Sequence, residues 1–296
     1  MKYEGLQDRT RPAKTATSLL AGIRNVDTGE PEQVTTWTIA ASVLMAALQR
    51  QKGTDGRPVL RLKGGAYLEW LLHPSARATQ DIDTVFTEEA DRFQTFLQDA
   101  VAQPLGDFSF ILKARAGEID VPVAAVNPRR HEIQVVFARK LLRKVVLEVS
   151  FSEGGLADSA DEVLAPRLEP FGVPTPSHTI ASISPEYQIA QKMHACTGPG
   201  HEDRERDVLD ILLLKRNVFD SGRDTSDVNQ ACLDIFEVRA LNAGKAGLQT
   251  KSWPTKIAAH HNWGAGFAHL AESLGVDIDL QAAISEINDW LSDLRS

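Results

Sequence analysis

The sequence predicts an α+β fold, with a mixed sheet in the first half of the chain and a helical lobe in the second. Three observations predict it. Helices and short strands alternate up to residue 102, β-forming residues dominate from 108 to 151, and helical periodicity returns after residue 183. We therefore expect an N-terminal extension at 1–30, a sheet-containing core at 31–155 and a helical C-terminal lobe at 156–296.

Composition narrows the class of protein. The chain has 296 residues, of which 43% are hydrophobic and 24% charged, as in ordinary globular proteins. A net charge of −8 argues against a surface coated with nucleic-acid-binding cations but leaves room for a local basic groove. No apolar run is long enough to span a membrane, and the first 17 residues lack the apolar core of a signal peptide. With two cysteines, a cytoplasmic protein without membrane association is expected.

The predicted elements follow in order along the chain. Residues 1–25 contain few periodic apolar positions, so we expect them to be partly mobile. Apolar residues at helical spacing, with Gly53 after the last of them, predict a helix over 31–51. Up to residue 102, the other predicted elements are a strand at 59–62, a helix at 66–72, a strand at 81–86 and a helix at 88–102.

A β-rich middle is followed by loops and then helices. Strands are predicted at 108–114, 131–138 and 144–151, with residues 139–143 connecting the last two. Residues 154–177 carry much of the proline and glycine, which predicts loops and a boundary between lobes. Helical periodicity then predicts helices at 184–195, 206–216, 228–240 and 280–294.

Two aspartates separated by one apolar residue, Asp81 and Asp83, lie in the predicted strand at 81–86. Alternate side chains of a strand share a face, which places the two Cβ atoms about 7 Å apart. Like charges repel unless a cation lies between them, and a divalent metal is the simplest such cation. An edge strand with solvated carboxylates is the alternative interpretation.

A lysine and a glycine pair, Lys63-Gly64-Gly65, precede these aspartates between a strand and the start of a helix. Backbone N–H groups at the start of a helix can bind phosphate. A glycine pair alone indicates only a turn. A metal site beside such a turn and a lysine favours chemistry on a nucleoside triphosphate.

Glu148 interrupts an otherwise apolar strand at 145–151. Burying a carboxylate in such a strand is costly unless it has a partner, which makes Glu148 a candidate third metal ligand. A glutamate on a half-exposed face is the alternative.

Two predicted helices each carry a charged residue among apolar neighbours. Lys192 either extends its ammonium group to solvent or reaches a polyphosphate. Asp210 shares a helix face with Asp207, and we expect it to pair with Lys192 or Arg206, or to touch the site. A purely structural ion pair is the alternative for both helices.

With these residues identified, the chain resembles the AbiEii/AbiGii toxin family of nucleotidyltransferases, and within it the mycobacterial MenT toxins most. Separate motifs occur in the right order between about residue 35 and residue 240, which makes the resemblance specific. The matching residues are Leu62-Lys63-Gly64-Gly65 with Leu68-Glu69, Arg77-x-Thr79-x-Asp81-Ile82-Asp83-Thr84-Val85, Glu118-Ile119-Asp120-Val121-Pro122, Pro128-Arg129-Arg130, Leu147-Glu148-Val149-Ser150, Ile189-Ala190-Gln191-Lys192-Met193-His194-Ala195 and Arg204-x-x-Asp207-Val208-x-Asp210-Ile211.

The resemblance implies a polymerase-β-like nucleotidyltransferase core and the toxin half of a toxin–antitoxin pair. MenT-like enzymes transfer NMP from an NTP (ATP, CTP, GTP or UTP) to the 3′ end of tRNA, which blocks aminoacylation and translation. The implied partners are tRNA and a cognate antitoxin protein. The implied cofactor is Mg²⁺, with Mn²⁺ as an alternative, and we expect a monomer.

The resemblance also implies roles for individual residues. Asp81 and Asp83 would hold the metal, with Glu148 as a third metal ligand or as the base. Lys63, Gly64, Gly65 and Lys192 would bind the nucleotide, and Asp210 would orient Lys192 or another group beside the site. Two positions depart from the family pattern. Glu148 stands where many members have aspartate, and Ala66 stands where Ser or Thr is frequent, which removes a hydroxyl contact to phosphate.

Two competing functions stay open at this stage. One is a nucleotidyltransferase of the same fold that acts on a small molecule, and the other is a non-catalytic partner-binding protein. The intact site residues speak against the second. A basic groove leading to the site would favour RNA as the acceptor, and a closed pocket would favour a small molecule. One basic segment in this acidic chain is a candidate for such a groove, with a solvated hairpin as the alternative; it comprises Arg129, Arg130, His131, Arg139, Lys140, Arg143 and Lys144.

Overall fold

The computed structural model describes residues 1–72, 79–113, 128–197 and 203–294. Arg77 and residues 118–122 of the family motifs lie outside the described residues. Within the described ranges, seven strands form one mixed sheet and nine α-helices pack around it, so the predicted α+β class is confirmed.

The strands pair in the order β3-β4-β5-β2-β1-β7-β6. The β1–β7 and β2–β5 pairs are parallel and the other neighbours are antiparallel. Their bounds are β1 Leu60–Lys63, β2 Asp81–Phe86, β3 Phe108–Leu112, β4 Arg129–Phe137, β5 Lys140–Phe151, β6 Ala160–Leu164 and β7 Thr179–Ile183.

The helices lie on both faces of the sheet. On one face α1, α2 and α4 pack against β3 and β5, and α2 is buried along most of its length. On the other face Val85 of β2 joins a cluster with apolar side chains of α5 and α7. The bounds are α1 Ala16–Asn25, α2 Glu32–Leu48, α3 Gly64–Leu72, α4 Phe93–Ala102, α5 Pro185–Cys196, α6 Glu205–Leu214, α7 Ser226–Lys245, α8 Trp263–Ser273 and α9 Leu280–Asp293.

Part of the N-terminal segment, which was predicted to be partly mobile, packs onto the core through Lys2, Tyr3 and α1. Lys2 is 4% exposed, and its ammonium group lies 2.5 Å from a carboxylate oxygen of the buried Glu69. The Tyr3 hydroxyl donates to Glu30 at 2.9 Å, and α1 was not predicted at all. Partners distant in sequence therefore supply the order that local periodicity did not indicate.

Two further predictions need correction. The β4–β5 turn consists of Ala138 and Arg139, both at positive φ, so β5 begins at Lys140 and residues 140–143 are strand. Two residues at positive φ form the kind of tight turn whose twist matches a hairpin, but neither is the expected Gly or Asn. The stretch predicted as loops contains β6, and β6 and β7 extend the sheet beyond residue 156. The division into two lobes stays a prediction.

Candidate active site

The register of four neighbouring strands places four charged residues in one row across the sheet: Lys63, Asp83, Glu148 and Arg130. Lys63 is paired with Asp83 between β1 and β2. Asp83 is paired in turn with Glu148, and Glu148 with Arg130. Directly opposed residues have side chains on the same face of a sheet, and Asp81 shares that face because it lies two residues before Asp83. Two cations therefore flank a group of three carboxylates.

The electrostatics of the two aspartates indicate that they need a cation. Burial raises the pKa of Asp83, Lys63 opposes this shift only in part, and Glu148 adds to it. Burial and the charge of Glu148 also raise the pKa of Asp81, against the influence of Arg130. Gathering the carboxylates on one face costs free energy that a bound cation would offset.

Arg130 is the cation that lies between Asp81 and Glu148. Its Nε donates to Oε1 of Glu148 at 2.8 Å, and its Nη2 contacts the same oxygen. Nη2 also lies 3.5 Å from Oδ2 of Asp81. The sequence placed Arg130 in a basic segment but did not indicate that it enters the carboxylate group.

The donor set suits a divalent metal that arrives with a phosphate ligand. Carboxylate oxygens are the ligands that Mg²⁺ prefers. In the part of the chain that the structure describes, however, no three acidic, histidine or cysteine groups converge on one point. Mg²⁺ is commonly held by one or two carboxylates together with substrate phosphates. The residues therefore fit a nucleotide-borne metal better than one held by protein alone.

Gly64 permits the close approach of β2 to the start of α3. It has φ +66°, and a Cβ atom placed on it would lie 2.9 Å from Cγ of Asp83, closer than real contacts allow. Its N–H donates to Oε1 of Gln188 on α5 at 3.0 Å. The glycine thus lets the sheet, α3 and α5 meet beside Asp83, while phosphate binding by Gly64 and Gly65 stays a prediction.

Lys63 is a largely enclosed lysine whose ammonium group lacks a hydrogen bond or ion pair with any described residue. Burial lowers its pKa, and the charges of Asp83 and Glu153 only partly restore it. A lysine in this state gains from an anionic ligand. The position of Lys63 opposite Asp83 therefore suits contact with a phosphate.

Lys192 is fixed by two aspartates of α6. Its Nζ lies 2.9 Å from Oδ1 of Asp207 and 2.7 Å from Oδ2 of Asp210, which is 1% exposed. Burial alone would lower the pKa of Lys192, but the two aspartates outweigh it and raise the pKa. The pairing of Asp210 with Lys192 predicted from the sequence is confirmed. Lys192 is charged, rigidly held and close enough to Asp83 to lower the pKa of that carboxyl.

The N-terminal end of β2 is anchored by residues from three other segments. Glu69 of α3 accepts a hydrogen bond from the Thr79 N–H at 3.1 Å and pairs with Lys2. Trp37 of α2 donates from Nε1 to the carbonyl of Gln80 at 2.9 Å. These contacts fix the backbone from which Asp81 projects. Sequence reasoning missed Lys2, since nothing local marks it as a partner of Glu69.

A cavity of about 490 Å³ adjoins this site on the side of α5 and α7. Lys63 and Ser150 line it from the sheet, and His194 and Arg239 line it from the helices. A larger cavity of about 690 Å³ lies elsewhere, between the N-terminal segment and the β3–β4 strands, and contains none of the site residues. Of these two cavities, the one of about 490 Å³ is lined by Lys63, the cross-strand partner of Asp83.

The site combines a strand–glycine–helix turn, aspartates on the next strand and a lysine-bearing helix over the same sheet face. These groups suit transfer of a phosphoryl or nucleotidyl group. The model of the nucleotidyl transferase AbiEii toxins of type IV toxin–antitoxin systems matches residues 47–292, and the chain belongs to this family. The resemblance predicted from the motifs is confirmed. Membership implies a cognate antitoxin as a partner.

The fold is also similar to that of a solved toxin. The MenT4 nucleotidyltransferase toxin of Mycobacterium tuberculosis H37Rv matches 96% of this chain over 100% of its own length, with a TM-score of 0.52 and 16% identity. Megavirus polyadenylate synthase matches with a TM-score of 0.24 and 9% identity, over 100% of this chain and 51% of its own, which carries no argument. No curated protein matches the sequence. Among the described residues, none of the helices has the length and apolar character needed to cross a membrane.

Proposed function

We propose that this toxin transfers NMP from an NTP to the 3′ end of tRNA and so blocks translation. The observation that carries the proposal is the row in which Asp83 lies between Lys63 and Glu148, with Asp81 on the same face. This arrangement combines acidic ligands for a metal with a lysine for phosphate. In phosphoryl transfer, positioning and charge stabilisation of this kind supply most of the catalysis.

The carboxylates would act on the attacking 3′-oxygen of the RNA and on the leaving oxygen of the β-phosphate. Asp81 and Asp83 would hold Mg²⁺, or Mn²⁺ as the alternative, with Glu148 as the third acid, either as a ligand or as the base for the hydroxyl proton. A divalent metal supplies charge neutralisation on the triphosphate and lowers the pKa of the attacking 3′-hydroxyl. The RNA 3′-oxygen bonds to the α-phosphorus, the bond from that phosphorus to the β-phosphate oxygen breaks, and pyrophosphate leaves.

Two lysines would hold the phosphates. Lys63 lies opposite Asp83 on β1, and the charge of Lys192 on α5 is near enough to lower the pKa of Asp83. Asp210 keeps the Lys192 ammonium group charged and directed, which makes it a positioning residue. Gly64 and Gly65 would allow the phosphates to approach the backbone at the start of α3.

The acceptor side of the site favours RNA over a small molecule. Strands β4 and β5 carry Arg130 and Glu148 and continue outward into a hairpin with exposed cations at Arg139, Lys140 and Lys144. A basic track that leads away from the carboxylates suits the phosphates of an RNA end. A small acceptor would need a closed pocket on this side instead.

Further proposals follow from this function. Because tRNA and NTPs are its substrates, we propose that the protein works in the cytoplasm, and as a monomer, since the site residues come from one chain. We also propose that residues 31–155 form the nucleotidyltransferase core and residues 156–296 the lobe that presents Lys192. Light scattering measures the molar mass in solution and so tests whether the protein is a monomer.

Labelling tests the proposal as a whole. The protein is incubated with each α-³²P-labelled NTP, a divalent metal and total RNA, and the labelled RNA is sequenced from its 3′ end. Label at the 3′ end of tRNA supports the proposal. Label on a small molecule would support the alternative acceptor. No label with any NTP would contradict the proposal and support a non-catalytic, partner-binding protein.

A further inference from the structure

The cavity beside Lys63 has a wall built from a buried chain of charged and polar groups. Arg239 of α7 donates from Nε to Oε2 of Glu153 at 3.0 Å, and Gln191 donates to Oε1 of the same carboxylate at 3.0 Å. Glu153 is 8% exposed, and these partners keep its pKa below the usual range although burial opposes them. Arg239 is therefore held in one place by a neutralising partner.

Arg239 in turn fixes the protonation state and orientation of His194. Its Nη1 lies 3.3 Å from Nδ1 of His194. A guanidinium only donates hydrogen bonds, so Nδ1 must be the acceptor and the ring proton must lie on Nε2. Burial and the charge of Arg239 also lower the pKa of His194 to about 3, so the ring is neutral at physiological pH. The edge of Phe236 packs against the ring, with centroids 4.9 Å apart.

Several polar groups along this cavity have no partner in the described ranges. His194 Nε2 and the side-chain amides of Asn242 and Gln249 make no hydrogen bond with described residues. Apolar surfaces of Phe151 and Leu248 separate them. Apolar walls with a few polar groups that can face a ligand are typical of sites for small organic ligands, and a volume of about 490 Å³ lies within their usual range.

We propose that this cavity binds the nucleoside of the incoming NTP and that the Nε2–H of His194 donates to an acceptor atom of the base, which makes His194 a specificity-determining residue. The inference rests on the proposed function and adds a location and a residue to it. Lys63 lines the cavity and is the cross-strand partner of Asp83, so a nucleotide with its base between α5 and α7 would extend its phosphates past Lys63 toward the carboxylates.

The location also separates the two substrates. Ser150, which lines the cavity, lies two residues beyond Glu148 along β5, whereas the exposed hairpin lies in the opposite direction along the same strand. A nucleotide in the cavity leaves the hairpin side open to the RNA 3′ end. The carboxylates then lie between the two substrates, as transfer requires.

A steric variant tests where the nucleoside binds. Ala243→Trp on α7 places a large ring in the cavity, and Leu241→Trp places the same ring on the exposed face of that helix as the control. Binding of each of the four NTPs and of inorganic tripolyphosphate is measured by calorimetry with Mg²⁺ and without RNA. We expect Ala243→Trp to weaken NTP binding at least tenfold and to leave tripolyphosphate binding unchanged.

A second variant tests the base contact. His194→Phe keeps a ring of similar shape but has no N–H donor, so it should reduce the spread among the four NTP dissociation constants. The preferred NTP should lose about fivefold in affinity, the value of one hydrogen bond. His269→Phe, on the exposed surface of α8, is the control. Thermal unfolding of each variant verifies that it folds.

Three results would overturn the inference. One is unchanged NTP binding in Ala243→Trp, another is a parallel loss of tripolyphosphate binding, and the third is four equal NTP dissociation constants in the unmodified protein. Labelled RNA from the unmodified protein distinguishes these failures from failure of the proposed function, because transfer can occur even if the nucleoside lies elsewhere.

Discussion

Arg130 and Glu148 are cross-strand partners, and their side chains meet on the sheet face that carries Asp81 and Asp83. The guanidinium thus occupies the space between two carboxylates that a metal ion would share. Arg130 and the metal are therefore expected to compete for Glu148 and Asp81. A metal that arrives with a triphosphate has additional ligands with which to displace the arginine.

Replacing Arg130 should strengthen metal binding in the absence of nucleotide. Arg130→Gln removes a half-exposed ion pair worth about 1 kcal/mol, so we expect Mn²⁺ to bind about fivefold more tightly. Electron paramagnetic resonance of free Mn²⁺ measures the dissociation constant. Arg129→Gln is the matched control, because Arg129 packs over the ring of Phe151 instead. Equal or weaker Mn²⁺ binding in Arg130→Gln would contradict the competition.

Gly64 should be far less tolerant of a methyl group than another glycine at a similar φ. Gly64→Ala and Gly56→Ala both place alanine at positive φ, which costs roughly 1–2 kcal/mol. Only Gly64→Ala also pushes its Cβ against Asp83, since Gly56 faces open space. A displacement of about 1 Å at such a site can reduce turnover roughly 100-fold. Transfer assays on both variants measure this, and equal activities would show that Asp83 is not held by Gly64.

Loss of Lys192 should destabilise the folded protein as well as slow the transfer step. Lys192→Met leaves the buried Asp210 without its cation, and breaking a buried pair in this way costs about 3–5 kcal/mol. Lys144→Met, which removes an exposed partner of Glu132, should cost less than about 1 kcal/mol. Urea denaturation gives both free energies of unfolding. If both variants lost similarly small free energies of unfolding, the Lys192–Asp210 pair would contribute no more to stability than a surface ion pair.

His194 should contribute to loss of stability in acid. Its pKa is about 3 in the folded protein and about 6.5 in the unfolded chain, so between these values only the unfolded chain takes up a proton. The free energy of unfolding therefore decreases as pH falls below about 6.5. His194→Gln cannot take up this proton, and its stability should fall less than that of the unmodified protein between about pH 7 and pH 5. Urea denaturation at both pH values measures the difference, and identical decreases would contradict the assignment of a neutral, enclosed ring.

Local patterns predicted the parts of the site that depend on local geometry. Asp81 and Asp83 share a face because a strand has a period of two, and β2 begins at Asp81 as the pattern indicated. The Lys192–Asp210 pair could be predicted because each residue interrupts an apolar helix face and needs a partner.

Contacts that depend on register or distance could not be predicted. Arg130 meets Glu148 because the hairpin turns at Ala138 and Arg139 and because the register then shifts by one residue between Val135 and Val136. No glycine or asparagine signals that turn. Glu153 and Arg239 are 86 residues apart, and no periodicity links them. For the same reason the N-terminal residues were expected to be mobile, although their charged and aromatic side chains find buried partners in α3 and near residue 30.

Asp83 lies between Lys63 and Glu148 in the row across the sheet and is central to the proposed metal site. The direct test of its role is the rate at which the unmodified protein and Asp83→Asn incorporate α-³²P-labelled NMP into tRNA, with circular dichroism to confirm equal folding. The amide keeps the size of the side chain but removes the charge that would hold the metal. We predict a rate lower by about 1,000-fold or more, the effect of losing several kcal/mol of transition-state stabilisation. Incorporation by Asp83→Asn at the rate of the unmodified protein would contradict the assignment of this face as the active site.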